Sequence, residues 1–591
     1  MSPPKTSSTL AVSLALALVT TACSGHIGEP GTSGGPGTPG APGTPGAPGT
    51  PGTPGTPGAP VCQPGDLDVG VSALRRLDSP TIARGIRDLL GDPNLALDLD
   101  GGNEPVITEL AVAKLNDAIW KVAQDDKHLT RFAPCDVSTD GGASCADGFI
   151  DELARLAFRR PASTAERAWL RGVYDKVRAD SNNTFADGLR AVLAVVLQSP
   201  QFLYVLELGS GSSPSTSPQI TALSGYERAT RLALFLWQSL PDATLLFAAQ
   251  SGELDTPEGV KAQAKRMLAD PRGRTALTRV LVGWLELDGS ATHDSLQQVV
   301  RDTTRYPEDS PALRDAMRTA IDKFVERALF DEDGTLATLL GARFAYVDPA
   351  LAKLYGLSSP AAGEPARWVD LPQGQRAGLL TRAAFLALYA SPTVQSPIRR
   401  GAFILQHLMC IELGEPPPNA NDTPVTGGSV NQNGQKKVLT VREDVAHKTK
   451  DTGCVECHRN INPVGFAFEN YDSLGRWQTQ ERGTDDNGAP YVLPIDASGA
   501  LPQADSSGSW NGNLEPVSGP VELSQKLADS PIYRRCFART LLRAGLGRAP
   551  SKSDGCSLQR AEQAFAKSGS VIDLLLTIVS SDSFLHLRKS N

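Results

Sequence analysis

The stretch Ser224-Gly225-Tyr226-Glu227-Arg228-Ala229-Thr230-Arg231-Leu232-Ala233-Leu234-Phe235-Leu236 settles the class of the fold. Ser224 followed by Glu227 has the form of a capping box, in which each side chain satisfies a backbone N–H at a helix start. Tyr226, Ala229, Leu232, Ala233 and Leu236 then recur at helical spacing, so one face is apolar. The same pattern continues on both sides. Ser163 with Glu166 is another capping box, and its helix runs to about Ala179. Ser79-Pro80 starts a helix with proline in the first turn, and Gly91 stops it. Further helices are expected over Phe149 to Phe158, Ala186 to Val205, Pro241 to Gln250, Ala312 to Leu329, and through Val521 to Leu587. Strand alternation is scarce. Asp486-Asn487-Gly488 is a hairpin turn signal, and Ile495 to Gly499 resembles a second turn. The expected fold is mainly α, with several helical modules in series and a small β-hairpin element late in the chain.

Within this helical chain stands Cys454-Val455-Glu456-Cys457-His458. Two cysteines two residues apart, with histidine directly after, form the attachment signature of a c-type haem. Both thiols lie within one helical turn, so each can form a thioether to the porphyrin while the imidazole holds the iron. The apolar run from Ile461 to Phe468 beside the motif could wall a haem edge. Two other chemistries use the same residues: a Cys454–Cys457 disulfide or free dithiol, and a zinc site, which would need His447 or Cys410 from elsewhere. No methionine follows the motif, since the last is Met409. Candidates for the sixth iron ligand are therefore His447 and Met409, then His407 and His586, or no protein group. An empty sixth position would permit small-molecule chemistry; a filled one favours electron transfer. If the segment after the motif is helical, Glu469 and Asp472 share a face and are candidate partners of the site, or else capping carboxylates. No glycine is followed by lysine and no histidine by glutamate, which excludes a Walker A loop and a zincin motif. Arg159, Arg160 and Arg476 are expected in structural ion pairs, and Trp237 and Trp284 in the core.

At 591 residues the chain is too long for one ordinary core, and roughly three to five domains are expected. It is 40% hydrophobic and 21% charged, with a net charge of −8. No basic stripe argues for nucleic acid. Lys5 precedes an apolar run from Leu10 to Val19 that reads as an export signal, too short to span a membrane. Val19-Thr20-Thr21-Ala22-Cys23-Ser24 resembles a bacterial lipobox with Thr20 in place of the usual leucine, which makes Cys23 the expected lipid-bearing residue. Ser24 rather than aspartate points to outer-membrane sorting in a Gram-negative envelope. From Gly37 to Pro60 glycine recurs every third residue, the collagen period; eight triplets suit a semi-extended tether. Setting aside Cys23, Cys454 and Cys457 leaves six of nine cysteines, and export makes disulfides plausible. Sequence proximity favours Cys135–Cys145 and Cys536–Cys556, leaving Cys62 and Cys410.

Several stretches together resemble a known group. They are Leu74 to Leu77 with Arg87-Asp88-Leu89-Leu90-Gly91, Ala157-Phe158-Arg159-Arg160-Pro161, and Ser199-Pro200-Gln201-Phe202-Leu203-Tyr204. Arg231 to Trp237 with Pro241-Asp242 and Arg266-Met267-Leu268-Ala269-Asp270-Pro271 follow. Ser396-Pro397-Ile398-Arg399-Arg400-Gly401, Cys454 to His458, Asn462 to Asp472, Ile495 to Gly499, Cys536-Phe537 and Gly545-Leu546-Gly547-Arg548 complete the set. In this order they resemble the exported, multi-module, planctomycete-type cytochrome-bearing family of unknown function, also common in myxobacteria. Two departures stand out. Tyr389 occupies a place often held by histidine, and the tyrosine-asparagine pair usual in the first module is replaced around Ile82-Ala83.

The expected organisation is a lipoprotein signal over 1–23, a Gly/Pro/Thr-rich tether over 24–64, and helical modules over 65–130, 131–208 and 219–374. A cytochrome c-like module over 375–510 and a C-terminal helical module over 521–591 follow. The expected function is a cell-envelope, outer-membrane lipoprotein, held to the membrane by its lipid. It would bind one covalent haem c through Cys454, Cys457 and His458 and exchange electrons with a redox partner protein. The alternatives are a haem-free, disulfide-braced scaffold and a haem enzyme with an open iron face.

Overall fold

Both capping boxes form. Ser163 Oγ accepts from Glu166 N at 3.2 Å while Glu166 Oε2 accepts from Ser163 N at 2.8 Å. Ser224 and Glu227 close the same reciprocal pair at 3.3 and 2.7 Å. These caps open the helices Thr164–Arg178 and Gly225–Leu236. Gly91 ends the helix Ser79–Leu90 in the left-handed conformation at φ 66°, where a side chain would be strained. A computed structural model describes residues 62, 67, 69–99, 108–210, 219–290, 294–358, 364–414, 428–432, 435–484 and 488–589. The export signal, Cys23, the tether apart from Cys62, and Asp486-Asn487 of the expected turn lie outside the described residues.

Among the described residues the protein is mainly α, with twenty-three α-helices and six two-stranded antiparallel sheets. Two hairpins, Gln480–Thr484 with Pro490–Pro494 and Gly499–Ala504 with Trp510–Val517, follow the motif. The helix expected from Ala186 to Val205 stops earlier, at Gln198. Ser199 precedes Pro200 and is extended, with ψ 151°, because the proline ring disfavours the helical region for its predecessor. Tyr204–Val205 then pairs with Arg75–Arg76. No helix of the described residues is long and apolar enough to cross a membrane.

Among the described residues two large apolar cores organise the body, beside a small cluster of Val394, Val441, Val445 and Phe466. One joins residues from Leu77 to Val205, with Leu240, so the first two expected modules share an interior. The other runs from Ala229 to Leu585 and joins the central, motif-bearing and C-terminal segments. Arginines whose hydrogen bonds go mostly to backbone carbonyls tie distant segments together. Arg231 pairs with Glu207 at 2.6 Å and also donates to the carbonyls of Ser583 and Phe584 at 2.9 and 2.7 Å. Arg159, expected in an ion pair, instead donates to the carbonyls of Gln201, Phe202 and Tyr204. It is buried at φ 61° and follows the helix Gly142–Ala157, which places it against the turn at Ser199-Pro200. Arg160 and Arg476 do make ion pairs, with Glu166 and with Asp472 and Glu308.

The start and end of the body meet. Ile220–Ala222 pairs with His586–Arg588, and Arg588 Nε donates to Val69 O at 2.7 Å. Gly70 N donates to Asp554 Oδ1 at 3.0 Å. Burial pushes the Asp554 carboxyl up, but hydrogen bonds from Arg548, Ser551 and Gly70 outweigh it and hold the group well below the usual carboxylate range.

Three disulfides brace the described residues. Cys135–Cys145 forms. Cys536 pairs with Cys410, and Cys556 with Cys62, which corrects the pairing of Cys536 with Cys556. Short separation lowers the entropy cost of closure in an unfolded chain, but the fold decides which thiols meet. The helix Pro531–Leu546 carries Cys536 to the end of the helical segment Ile404–Leu408, and the helix Gly555–Ser568 brings Cys556 to the chain entry.

Candidate functional site

The motif lies on the helix Thr452–Phe466. Its first turn is closed by Cys454 N and Val455 N, both donating to Asp451 O at 2.9 Å. Cys454, Cys457 and His458 are half-buried, whereas Glu456 and Arg459 are exposed and pair with each other at 3.3 Å. Positions 454, 457 and 458 stand three and four apart, so they share one side of the helix. Both cysteines are outside any disulfide in this structure, as the haem and free-dithiol readings of the sequence expect. Cys410 is held by Cys536 and is no longer a thiolate for a zinc site. Cys457 Sγ donates to Leu413 O at 3.0 Å.

His458 is held in one orientation by side chains the sequence reading did not assign. Its Nδ1 lies 2.9 Å from Asn462 Oδ1. Asn462 Nδ2 donates to Thr449 Oγ1 at 2.8 Å, and Thr449 Oγ1 lies 2.7 Å from Val445 O. The end of this relay fixes its sense. Val445 O can only accept, so the Thr449 hydroxyl donates to it and accepts from Asn462. Asn462 therefore turns its oxygen to the ring, and Nδ1 must carry the proton. In the neutral ring Nε2 then keeps the lone pair, the form in which imidazole ligates a metal. Asn462 is four residues beyond His458, the ordinary spacing of partners on a helix, and that spacing was legible in the sequence.

The motif helix is seated by close backbone contact. A β-carbon on Gly401 would run into Ile461 O, and one on Gly465 into Pro397 O, so the helix Pro397–Phe403 crosses at glycine on both sides. A β-carbon on Gly499 would lie 2.5 Å from Pro463 O, which brings the strand Gly499–Ala504 onto the same helix. Beyond the helix end, the fully buried Arg400 donates to the carbonyls of Leu386, Phe468, Tyr471 and Asp472 at 3.0–3.1 Å. Burial pushes its guanidinium down to about 10, although Glu469 and Asp472 oppose the shift.

Glu469 and Asp472 lie past the helix end and are not partners of the motif. Asp472 accepts from Leu474 N and Arg476 N at 2.9 Å and pairs with Arg476, which shapes the turn. Glu469 Oε2 accepts from Gln395 Nε2 at 3.0 Å, and its Oε1 is buried without a hydrogen bond. Burial, with Glu481 adding to it, pushes the Glu469 carboxyl up to about 7 against Gln395, Arg400 and Arg442. Glu481 is itself buried and accepts from Val441 N at 3.0 Å. Of the expected distal ligands, His447 is exposed at the end of the helix Val441–Lys448, and Met409 is 2% exposed in the main core. No hydrogen bond among the described residues joins either to His458. Tyr389, at the position often held by histidine, is buried and donates to Leu285 O at 3.2 Å.

A cysteine pair outside any disulfide, on one helical turn beside an imidazole with Nε2 free, fits covalent attachment and axial ligation of a haem. Comparison with known proteins gives four matches in series, each described as a protein of unknown function: DUF1595 over residues 145–207, DUF1592 over 223–357, DUF1588 over 376–481 and DUF1585 over 514–584. The motif helix falls inside the third. No curated protein and no solved structure matches the chain. With these modules in this order, the chain belongs to the planctomycete-type, multi-module, cytochrome-associated family of unknown function.

Proposed function

We propose that the protein is an exported, outer-membrane lipoprotein, anchored through Cys23, that carries one c-type haem on Cys454, Cys457 and His458 and exchanges electrons with an envelope partner protein. The observation that carries this reading is the relay His458–Asn462–Thr449–Val445, which leaves Nε2 as the ligating nitrogen. The lipobox-like stretch supports the anchor. The haem would supply a one-electron couple. The chain would supply two thioether positions, an oriented proximal imidazole and a rigid seat of crossed helices.

The test is production in a host that attaches haem c, followed by intact mass and a spectrum after denaturation. A mass raised by one haem and one lipid, with a haem band that survives unfolding, is expected. Colourless protein of unmodified mass from such a host would leave a disulfide-braced helical scaffold as the function to pursue.

A further inference from the structure

Three stretches singled out in the sequence meet far from the motif in the chain. Arg84, Arg87 and Asp88 of the first helix, Trp237 and Ser239, and Pro271-Arg272 line one cavity of about 300 Å³ between the N-terminal helices and the central segment. That volume lies at the lower end of the roughly 300–1,000 Å³ of small-molecule sites, and junctions between structural units are where such sites concentrate.

The wall is cationic. Arg84, Arg87, Arg272 and Arg279 line it against one carboxylate, Asp88, in a chain whose net charge is −8. Three of these arginines are positioned by neutral acceptors. Arg84 Nε donates to Gln238 O at 2.9 Å, Arg279 Nη1 to Gln238 Oε1 at 2.9 Å, and Arg87 Nε to Leu95 O at 2.9 Å. Gln238 therefore holds two of them, and does so at φ 52°, a conformation a non-glycine residue keeps only where its surroundings enforce it. Burial and the neighbouring Arg279 push the Arg84 guanidinium down from its ordinary value, so a bound anion would relieve a repulsion already present. Arg272 sits with its guanidinium carbon 3.6 Å from the Trp237 ring centroid and spends Nε and Nη2 on Asp270 at 3.1 and 2.9 Å, which orients the group and keeps its Nη1 donors outside that pair. The Ser239 hydroxyl donates to Asp88 Oδ2 at 2.5 Å, which ties down one oxygen of the one acidic lining group and leaves four guanidinium groups against its single charge.

We propose that this cavity binds a small ligand through an oxyanion group, a phosphate or sulfate, either free or carried on a sugar-sized molecule. Guanidinium groups match the planar spread of such oxygens and bind them with charge-assisted hydrogen bonds. The proposal does not depend on haem.

Calorimetric titration of the full exported chain with inorganic phosphate, inorganic sulfate, glucose 6-phosphate and glucose tests it. Binding of one or more of the anions, weakening with added salt, and no binding of glucose are expected. Tighter binding of glucose 6-phosphate than of phosphate assigns a sugar-borne group, and the reverse assigns the free ion. Arg279→Glu, an exposed change that removes one bond to Gln238, should weaken binding by about tenfold or more. Arg539→Glu, on the exposed side of a helix of the second core, should leave it unchanged. Absence of binding by all three anions at low salt, or equal loss in both variants, would overturn the proposal.

Discussion

Gly465 lies directly against the backbone carbonyl of Pro397, and no side chain fits between them. The obstacle is backbone on both helices, so it cannot rotate away. Gly465→Ala should therefore destabilise the protein by about 1–3 kcal/mol through overpacking. Gly453, near the start of the same helix, faces open space. Gly453→Ala should be neutral or gain up to about 1 kcal/mol from helix propensity. Denaturant unfolding of the two variants checks the contrast, and equal effects would mean that the crossing is not as close as described.

Asn462 is expected to control which nitrogen of His458 carries the proton. Asn462→Leu removes the acceptor at Nδ1, and the ring should then populate the Nε2–H tautomer. Nitrogen NMR shifts of His458 in haem-free protein report this directly. Thr449→Val should move the same signature less, because it loosens the amide without removing it. If Asn462→Leu leaves the pattern unchanged, the relay does not set the tautomer.

Glu469 should make stability fall as pH rises. Its folded value, about 7, lies above the ordinary value of 4.5. The folded protein therefore holds a proton that the unfolded chain releases in that window. The contribution is fully present below about 4.5 and is lost as pH rises through about 7. Charged groups that act on it are Glu481, which adds to the shift, and Arg400 and Arg442, which oppose it. Glu469→Gln should flatten the slope of unfolding free energy between pH 5 and 8 and be relatively more stable than the parent at pH 8. An unaltered slope would assign the window to other groups.

The helices were legible where local chemistry decides them. Ser224 with Glu227 and Ser79-Pro80 with Gly91 act within one turn, and the chain carries both halves of each signal. The motif's placement on a helix was legible from its own spacing, which needs both thiols within one turn. What was not legible depends on segments far apart. Cys62 and Cys556 are 494 residues apart, and only the packing of the last helices against the chain entry pairs them. Arg159 was expected in an ion pair and Arg400 had no role assigned, yet each is buried and spends its donors on carbonyls of a turn brought in by tertiary structure. Glu469 would face the motif only if the helix continued to it, but that helix ends at Phe466 and the turn aims Glu469 at Gln395.

The two long-range and one short-range disulfides should differ in what they contribute. Cys62–Cys556 closes a separation of 494 residues, Cys135–Cys145 one of 10. In the chain-entropy account the longer closure restricts the unfolded chain more, by about 3 kcal/mol. Cys62→Ser with Cys556→Ser should therefore cost more stability than Cys135→Ser with Cys145→Ser. Its damage should also localise. Gly70, bonded to Asp554 at 3.0 Å, and Val69, bonded to Arg588 at 2.7 Å, should lose amide or contact protection first. Hydrogen exchange over residues 69–78, alongside denaturant unfolding under non-reducing conditions, measures both effects. A greater loss from the Cys135–Cys145 pair, with the chain entry still protected, would show that the Asp554 and Arg588 contacts close the body without help from sulfur.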